Sequence, residues 1–211
     1  MFLDRFKSSP LKHLGIIMDG NRRWAKSKGL SLIKGHKQGI ETAKAIIQAA
    51  IEEKVAYLTL YAFSSENWKR DPLEVSDLMN LLRSFLETEI NNLQQSGVKL
   101  TLLGDLEQFD KDIKKNIKKA TSYNQTKFKI NLIIAINYGA RQEITKAVKM
   151  ICKKVMENKI NLDEINQDEV ESNLYTCGIP DPDLIIRTGG DSRLSNFLLW
   201  QAAYSELMFF K

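Results

Sequence analysis

Leu14-Gly15-Ile16-Ile17-Met18-Asp19-Gly20-Asn21-Arg22-Arg23-Trp24 is the stretch on which the rest of the chain is read. Leu14 to Met18 is a short apolar run closed by an Asp-Gly-Asn turn, which predicts a buried strand ending at a loop. A helix is expected from about Arg22. Gly35 to Lys54 then carries Ile40, Ala43, Ile46, Ile47, Ala50 and Ile51 at helical spacing, and Ala56 to Phe63 supplies a second apolar, β-rich run. Strand, helix, strand is the unit this builds.

The alternation continues. Asp71-Pro72-Leu73-Glu74 combines a cap residue with a proline at the first helical position, predicting a long helix to about Gln95. Val98 to Leu103 reads as a strand, Asp110 to Tyr123 as a basic amphipathic helix, Phe128 to Ile136 as a strand and Ala140 to about Asn158 as a helix. Asp183 to Arg187 is a further strand, and the apolar segment from Asn196 to Phe210 fits a helical turn and a last strand. Alternating elements with strands apolar throughout predict an α/β fold with a mostly parallel sheet covered by helices on both faces. With 211 residues and no linker or repeat, the chain is expected to form one domain over residues 1–211.

The net charge of +5 favours anionic partners without choosing among them. Cys152 and Cys177 have neither metal-ligand nor redox spacing and read as buried, inert thiols in a reducing cytoplasm. Met1-Phe2-Leu3-Asp4-Arg5-Phe6-Lys7 carries charges among its apolar residues and is not a secretory signal. No stretch approaches a membrane span, so any membrane is met from its surface. Motifs for a nucleotide P-loop, a dinucleotide fold, a serine hydrolase elbow and a Cys/His zinc set are all absent from the sequence.

In such folds ligands bind beyond the carboxyl ends of the strands. Three of these junctions are rich in polar residues. In Asp19-Gly20-Asn21-Arg22-Arg23-Trp24 a glycine turns the backbone, helical N–H groups and two arginines attract an anion, and a divalent cation would reconcile Asp19 with a phosphate. A helix cap with surface arginines is the plainer alternative. Ser64-Ser65-Glu66-Asn67-Trp68-Lys69-Arg70 reads equally well as turn and cap chemistry or as a cluster of donors and acceptors around a tryptophan. In Arg187-Thr188-Gly189-Gly190-Asp191-Ser192-Arg193-Leu194-Ser195-Asn196, paired glycines free the backbone and two arginines could grip the phosphates of one ligand, or the loop could be an ordinary turn. His36 is by itself more often a cap or a satisfied polar residue than a catalyst. His13 has no assigned role.

Taken together, the Met18 to Trp24 block, Gly35-His36, Tyr61 to Trp68 and the Arg187 to Asn196 loop resemble the cis-prenyltransferase family, and within it the enzymes that make undecaprenyl diphosphate for bacterial cell walls. The resemblance runs from His13 to Leu207. It implies a transferase that condenses isopentenyl diphosphate in cis onto an allylic, farnesyl diphosphate to give a long-chain polyprenyl diphosphate. It implies Mg²⁺ held by Asp19 with help from Glu206, and an allylic diphosphate received by Gly20, Asn21, Arg22, Arg23, His36 and Arg70. Arg187, Arg193 and Ser195 would hold isopentenyl diphosphate. Asn67 with Ser64, and Asp19 or His36 in relay, would assist proton removal. Trp24 and Trp68 would line the substrate region, with Ser65, Glu66 and Leu194 completing the binding set.

A hydrophobic tunnel walled by the aliphatic helices and by Ala62, Val98 and Ile130 would take the growing chain. The resemblance also implies a homodimer, a cytoplasmic protein at most peripheral at the inner face of the membrane, and a product that partitions into the membrane. Ser192 stands where some relatives have a histidine near the metal, so no ligand is carried to that position. The sequence stops at Phe210-Lys211, where the family continues with a Trp-Pro-Asp-Phe stretch and a basic segment, so that tail is expected to be missing. A shorter-product member of the same family differs only in tunnel length. A non-catalytic partner subunit would lack Asp19 and Asn67, which are both present. A nucleic-acid binder would interleave aromatic and basic residues, and this sequence does not.

Overall fold

The computed structural model describes residues 11–122 and 127–211. Six strands, β1 (His13–Ile17), β2 (Tyr57–Ser64), β3 (Val98–Leu103), β4 (Ile130–Tyr138), β5 (Leu184–Arg187) and β6 (Glu206–Phe209), form one sheet in the order β3-β4-β2-β1-β5-β6. All five pairings are parallel. The helices are α1 (Asn21–Ser27), α2 (Leu32–Glu52), α3 (Pro72–Thr88), α4 (Ile90–Gln95), α5 (Lys111–Thr121), α6 (Ala140–Met156) and α7 (Gln167–Ser172). The result is a single-domain α/β fold. Among the described residues no helix is long and apolar enough to cross a membrane.

Strand alternation divides the core between the two faces of the sheet. Ile16, Leu58, Leu60, Leu132, Ile134 and Ile136 pack with Ile47 of α2, Met79 and Leu86 of α3 and Ile113 and Ile117 of α5. Ile17, Tyr61, Ile133, Ala135 and Ile185 pack with Ala140 of α6 and with Phe197 and Leu198. Strand β4 is buried along its whole length, as a strand covered on both faces must be.

Several boundaries differ from the sequence reading. Helix α2 begins at Leu32, ahead of Gly35. Gly35 and Gly39 lie inside the helix, where a Cβ would come within 2.5 Å of the Asn21 carbonyl oxygen and 2.4 Å of the Asn21 amide nitrogen respectively. They let α1 and α2 touch. The helix expected to run to Gln95 breaks at Glu89, whose carboxylate binds Lys44 on α2. Phe128 precedes β4 and lies under the Lys99 ammonium. Tyr123 lies outside the described residues. Cys152 and Cys177 are both exposed, because each falls on the solvent side of its segment, so the expectation of buried thiols is corrected.

The chain moves outward from β1 to β2 on one side and returns to β5 and β6 on the other. The carboxyl end of β1, between β2 and β5, is therefore a topological switch point, where such sheets open a crevice.

Candidate functional site

Beyond β1 the backbone turns at Gly20, with φ of 106°. It passes so close to the loop after β5 that a Cβ on Gly20 would sit 3.2 Å from the Gly189 Cα. A Cβ on Gly189, itself at φ 87°, would meet the Asp19 carbonyl carbon at 2.8 Å and the Arg23 guanidinium at 2.6 Å. Both positions require glycine. The Thr188 hydroxyl donates to the Asp19 carbonyl at 2.7 Å and so locks the two loops together.

This crossing places Asp19 between two arginines. Its Oδ2 accepts from Arg187 at 2.9 Å and from Arg23 at 3.0 Å, and its Oδ1 accepts the Gly20 N–H at 2.6 Å. Burial would raise the Asp19 pKa, but the bonds from Arg187 and Gly20 and the charge of Arg23 outweigh it and lower it. Arg187 is buried, and besides Asp19 it donates to the Ser195 hydroxyl at 2.6 Å and to the Arg193 carbonyl. Asp191 binds both nitrogens of Arg193, at 3.0 and 3.1 Å, and reaches Arg187 at 3.4 Å and Arg23 at 3.5 Å. Arg23 and Arg187 thus lie between two carboxylates, Asp19 and Asp191. Ser195 and Asn196 adopt positive φ at non-glycine positions, a strain held in place by Asn196, which bonds to Glu66, Gln142 and Arg141.

Strand β2 leaves register between Tyr61 and Ser64, which re-aims its end toward the crevice. Ser64 and Asn67 form a reciprocal capping box, in which the Asn67 side-chain oxygen accepts the Ser64 N–H at 3.0 Å. The cap chemistry weighed from the sequence is therefore present, and the side chains that make it also line the cavity.

On the far wall Arg22 from α1, His36 from α2 and Arg70 after the turn Ser65–Lys69 converge on Glu74 of α3. Burial, reinforced by Arg70 and Arg22, lowers the His36 pKa against the pull of Glu74, leaving a neutral imidazole at pH 7. These groups enclose a polar cavity of about 710 Å³ lined by five arginines, Arg22, Arg23, Arg70, Arg187 and Arg193, and three carboxylates, Asp19, Glu66 and Asp191. Gly20, Asn21, His36, Ser64, Asn67 and Ser195 line it too.

A second, apolar cavity of about 150 Å³ adjoins it under α2 and α3, lined by Ile40, Ala43, Leu60, Phe63, Leu81, Leu82 and Phe85 among others. Met18, Asn21, His36, Ala62 and Leu78 line both. Ala62, expected on a tunnel wall, lines both cavities. Val98 and Ile130 line neither cavity; they pair with each other across β3 and β4, deep in the core at the opposite end of the strands.

Other sequence candidates also fall outside both cavities. Trp24 is exposed on α1. The Trp68 indole donates to Asn137 at 2.8 Å and packs on Phe63 and Phe109, and Leu194 packs into the core with Tyr61 and Phe197. The Ser65 hydroxyl is buried without a partner. Glu206 pairs with Leu184, at the amino end of β5, about 16 Å along the strand direction from the level of Asp19. The structure does not bring Glu206 to Asp19. Conversely, Asp191, Asn196 and Glu74 belong to the site and were not singled out. Asp191 and Asn196 lie within the Arg187 loop, and Glu74 also serves the first turn of α3.

Among the described residues no group of three His, Cys, Asp or Glu side chains could hold a metal by itself. Mg²⁺, however, commonly takes one or two carboxylates and completes its shell with phosphate oxygens and water. Asp19, with Asp191 across the two arginines, fits that habit.

A family model described as "Putative undecaprenyl diphosphate synthase" matches residues 17–211. An isoprenyl transferase of Agrobacterium fabrum is 47% identical over 203 residues, covering 96% of this chain and 82% of the relative. One from Clostridium perfringens is 48% identical, covering 94% of this chain and 78% of the relative. The crystal structure of lavandulyl diphosphate synthase from Lavandula x intermedia, in complex with dimethylallyl diphosphate, superposes with a TM-score of 0.90 at 34% identity, covering 94% of this chain and 86% of that one. A "probable undecaprenyl diphosphate synthase" from Campylobacter jejuni gives a TM-score of 0.77 at 32% identity, covering 96% and 87%.

Proposed function

The chain belongs to the cis-prenyltransferase family, and on that premise we propose that it condenses isopentenyl diphosphate units onto farnesyl diphosphate to make a long-chain polyprenyl diphosphate such as undecaprenyl diphosphate. The observation that carries this reading is the shared wall of Met18, Asn21, His36, Ala62 and Leu78 between an arginine-lined cavity and an apolar one. A charged head and a growing hydrocarbon can occupy neighbouring compartments there.

In the reaction the allylic C–O bond breaks, a C–C bond forms to the terminal alkene carbon of isopentenyl diphosphate, and a proton leaves; diphosphate is released. Arg22, Arg70 and His36 hold the allylic diphosphate, with Asn21 and the Gly20 backbone beside them. Arg193 and Ser195, steadied by Arg187, hold the isopentenyl diphosphate, so the weakly nucleophilic alkene is fixed close to its target. Asp19 would hold Mg²⁺, which would supply charge stabilisation for the departing diphosphate. With its oxygen committed to the Ser64 N–H, Asn67 has its amide N–H₂ left to meet a ligand, which suits it to orient substrate more than to take a proton. The strongest oxygen base the reaction itself supplies is the released diphosphate.

A second reading, a shorter product, is favoured by one observation. An apolar cavity of about 150 Å³ is of the size that takes up a single benzene-sized group, and a long product would have to widen it. The Lavandula enzyme, named for the lavandulyl diphosphate it makes, shares the fold closely. The lipid-carrier role in cell-wall synthesis, a homodimer and a peripheral place at the inner face of the membrane go with the long-chain reading. The test is incubation with farnesyl diphosphate, isopentenyl diphosphate and Mg²⁺ followed by sizing of the products. Elongation by many units supports the first reading and arrest after one or two the second, while no elongation refutes both.

A further inference from the structure

Glu74 is the one carboxylate at this site that stands behind the cavity wall instead of in it. Its side chain is 5% exposed, and it does not line the cavity that Arg22, His36 and Arg70 line. It binds Arg70 Nη1 at 2.8 Å and Arg22 Nη1 at 3.2 Å, and its Oε1 lies 3.7 Å from His36 Nε2. That histidine nitrogen is buried and has no hydrogen-bond partner. The three partners come from α1, α2 and the segment after β2, so one buried anion gathers groups that the fold brings in from separate places.

A glutamate in the first turn of a helix is ordinary dipole and cap chemistry, and Asp71 already caps α3 through the Leu73 N–H at 2.8 Å. That role needs neither burial nor partners from three elements. Long arginine side chains lose rotamer freedom when they bind a ligand, and an arginine already held on one edge by a buried carboxylate has lost much of it beforehand. Its other edge remains free for an anion. Arg22 and Arg70 are in this condition, with side chains 55% and 33% exposed on the cavity side of a buried Glu74.

We propose that Glu74 is a positioning residue for the allylic half of the site: a buried counter-anion that sets Arg22, Arg70 and His36 as one diphosphate receptor and leaves the isopentenyl half untouched. This rests on the reading of those three residues as the allylic diphosphate site. Arg187 and Arg193 are organised separately, by Asp19 and Asp191.

The experiment is steady-state kinetics of full-length Glu74→Gln, Arg70→Ala and the double variant, with farnesyl and isopentenyl diphosphates varied in turn. Glu74→Gln should raise the KM for farnesyl diphosphate about tenfold, equivalent to about 1.4 kcal/mol, and move the KM for isopentenyl diphosphate less than twofold. In the Arg70→Ala background the same substitution should cost clearly less, since one of the three partners that Glu74 holds is already gone. Should Glu74→Gln fail to fold, Glu74→Asp, which keeps the charge but withdraws it by one methylene, carries the same expectation. An unchanged or lowered farnesyl KM would overturn the proposal, as would equal rises in both KM values or strict additivity in the double variant. If Arg70→Ala itself leaves the farnesyl KM unchanged, the placement of the allylic diphosphate fails. If Arg70→Ala raises it and Glu74→Gln does not, only the role of Glu74 fails.

Discussion

Replacing Asp19 by asparagine separates chemistry from architecture at this site. The amide keeps the size of the carboxylate and can still accept the Gly20 N–H through Oδ1. Toward Arg187 and Arg23, at 2.9 and 3.0 Å, it would present an N–H₂ in place of a charged oxygen. The structural cost is modest. The Asp19 side chain is 31% exposed, so its ion pairs are screened, and Arg187 keeps Asp191, Ser195 and the Arg193 carbonyl. A net loss of about 1 kcal/mol is expected, or about 2–4 °C in the thermal midpoint for a chain of this size. The catalytic cost is much larger, because the carboxylate would act through the cation it holds, and losing one such stabilising contact to a developing anion costs about 10²–10³ in kcat, or about 2.7–4 kcal/mol. Turnover at saturating farnesyl and isopentenyl diphosphates with Mg²⁺, beside a circular dichroism melt, gives both quantities. The Asp19 pKa is lowered in the folded state, so its stabilising contribution is present above the ordinary carboxylate pKa and lost only as pH falls through the lower folded value. Near neutral pH the carboxylate is fully charged, and the comparison is undisturbed by titration. Wild-type turnover by Asp19→Asn would refute the reasoning, as would a fall in activity no larger than the fall in folded fraction.

Other expectations follow from the same geometry. Ala62→Phe, which fills the wall shared by the two cavities, should shorten the product distribution seen by chromatography while leaving the first condensation measurable; unchanged lengths would mean the hydrocarbon does not pass Ala62. Glu143 is buried, accepts from the Tyr138 hydroxyl at 2.6 Å, the Tyr175 N–H at 2.8 Å and Gln201 at 3.2 Å. Glu143→Ala orphans these donors and should cost about 3 kcal/mol, lowering the thermal midpoint by roughly 6–12 °C; a shift under about 2 °C would contradict this network. Buried His13 bonds Pro180 and Thr59, and burial lowers its pKa despite the opposing Pro180 bond and Asp183 charge. Its contribution to stability is present above the unfolded value of about 6.5 and is lost as pH falls from there toward the folded pKa, by at most about 1.4 kcal/mol per pH unit. Melts between pH 7 and 5 should show a decline that His13→Gln flattens, and parallel curves would deny it.

The fold was legible because β1, β2, β4 and β5 are predominantly apolar on both faces and separated by helical periods, the pattern of a doubly covered parallel sheet. Element ends were less so. Gly35 reads as a helix start in sequence, yet its lack of a side chain serves the contact with Asn21 and Ala25, a tertiary demand that local pattern does not carry. The two short turns of helix between Leu162 and Ser172 lack an apolar period and went unread. Among site residues, those directly following strands were legible, since topology puts them at one edge. Trp68 and Leu194 belong to the same motifs but turn inward to Asn137 and Phe197, and no spacing distinguishes the two directions. Glu74 was invisible as a site residue because its partners, Arg22, His36 and Arg70, converge only in three dimensions.

The central claim is that this chain joins five-carbon units with cis geometry at the crevice beyond β1. The most direct test is to extend farnesyl diphosphate with ¹³C-labelled isopentenyl diphosphate in the presence of Mg²⁺ and read the new double bonds by NMR. Every added unit should carry a cis double bond, and labelling should disappear when Mg²⁺ is chelated. New trans double bonds, or no incorporation by the folded protein, would contradict it.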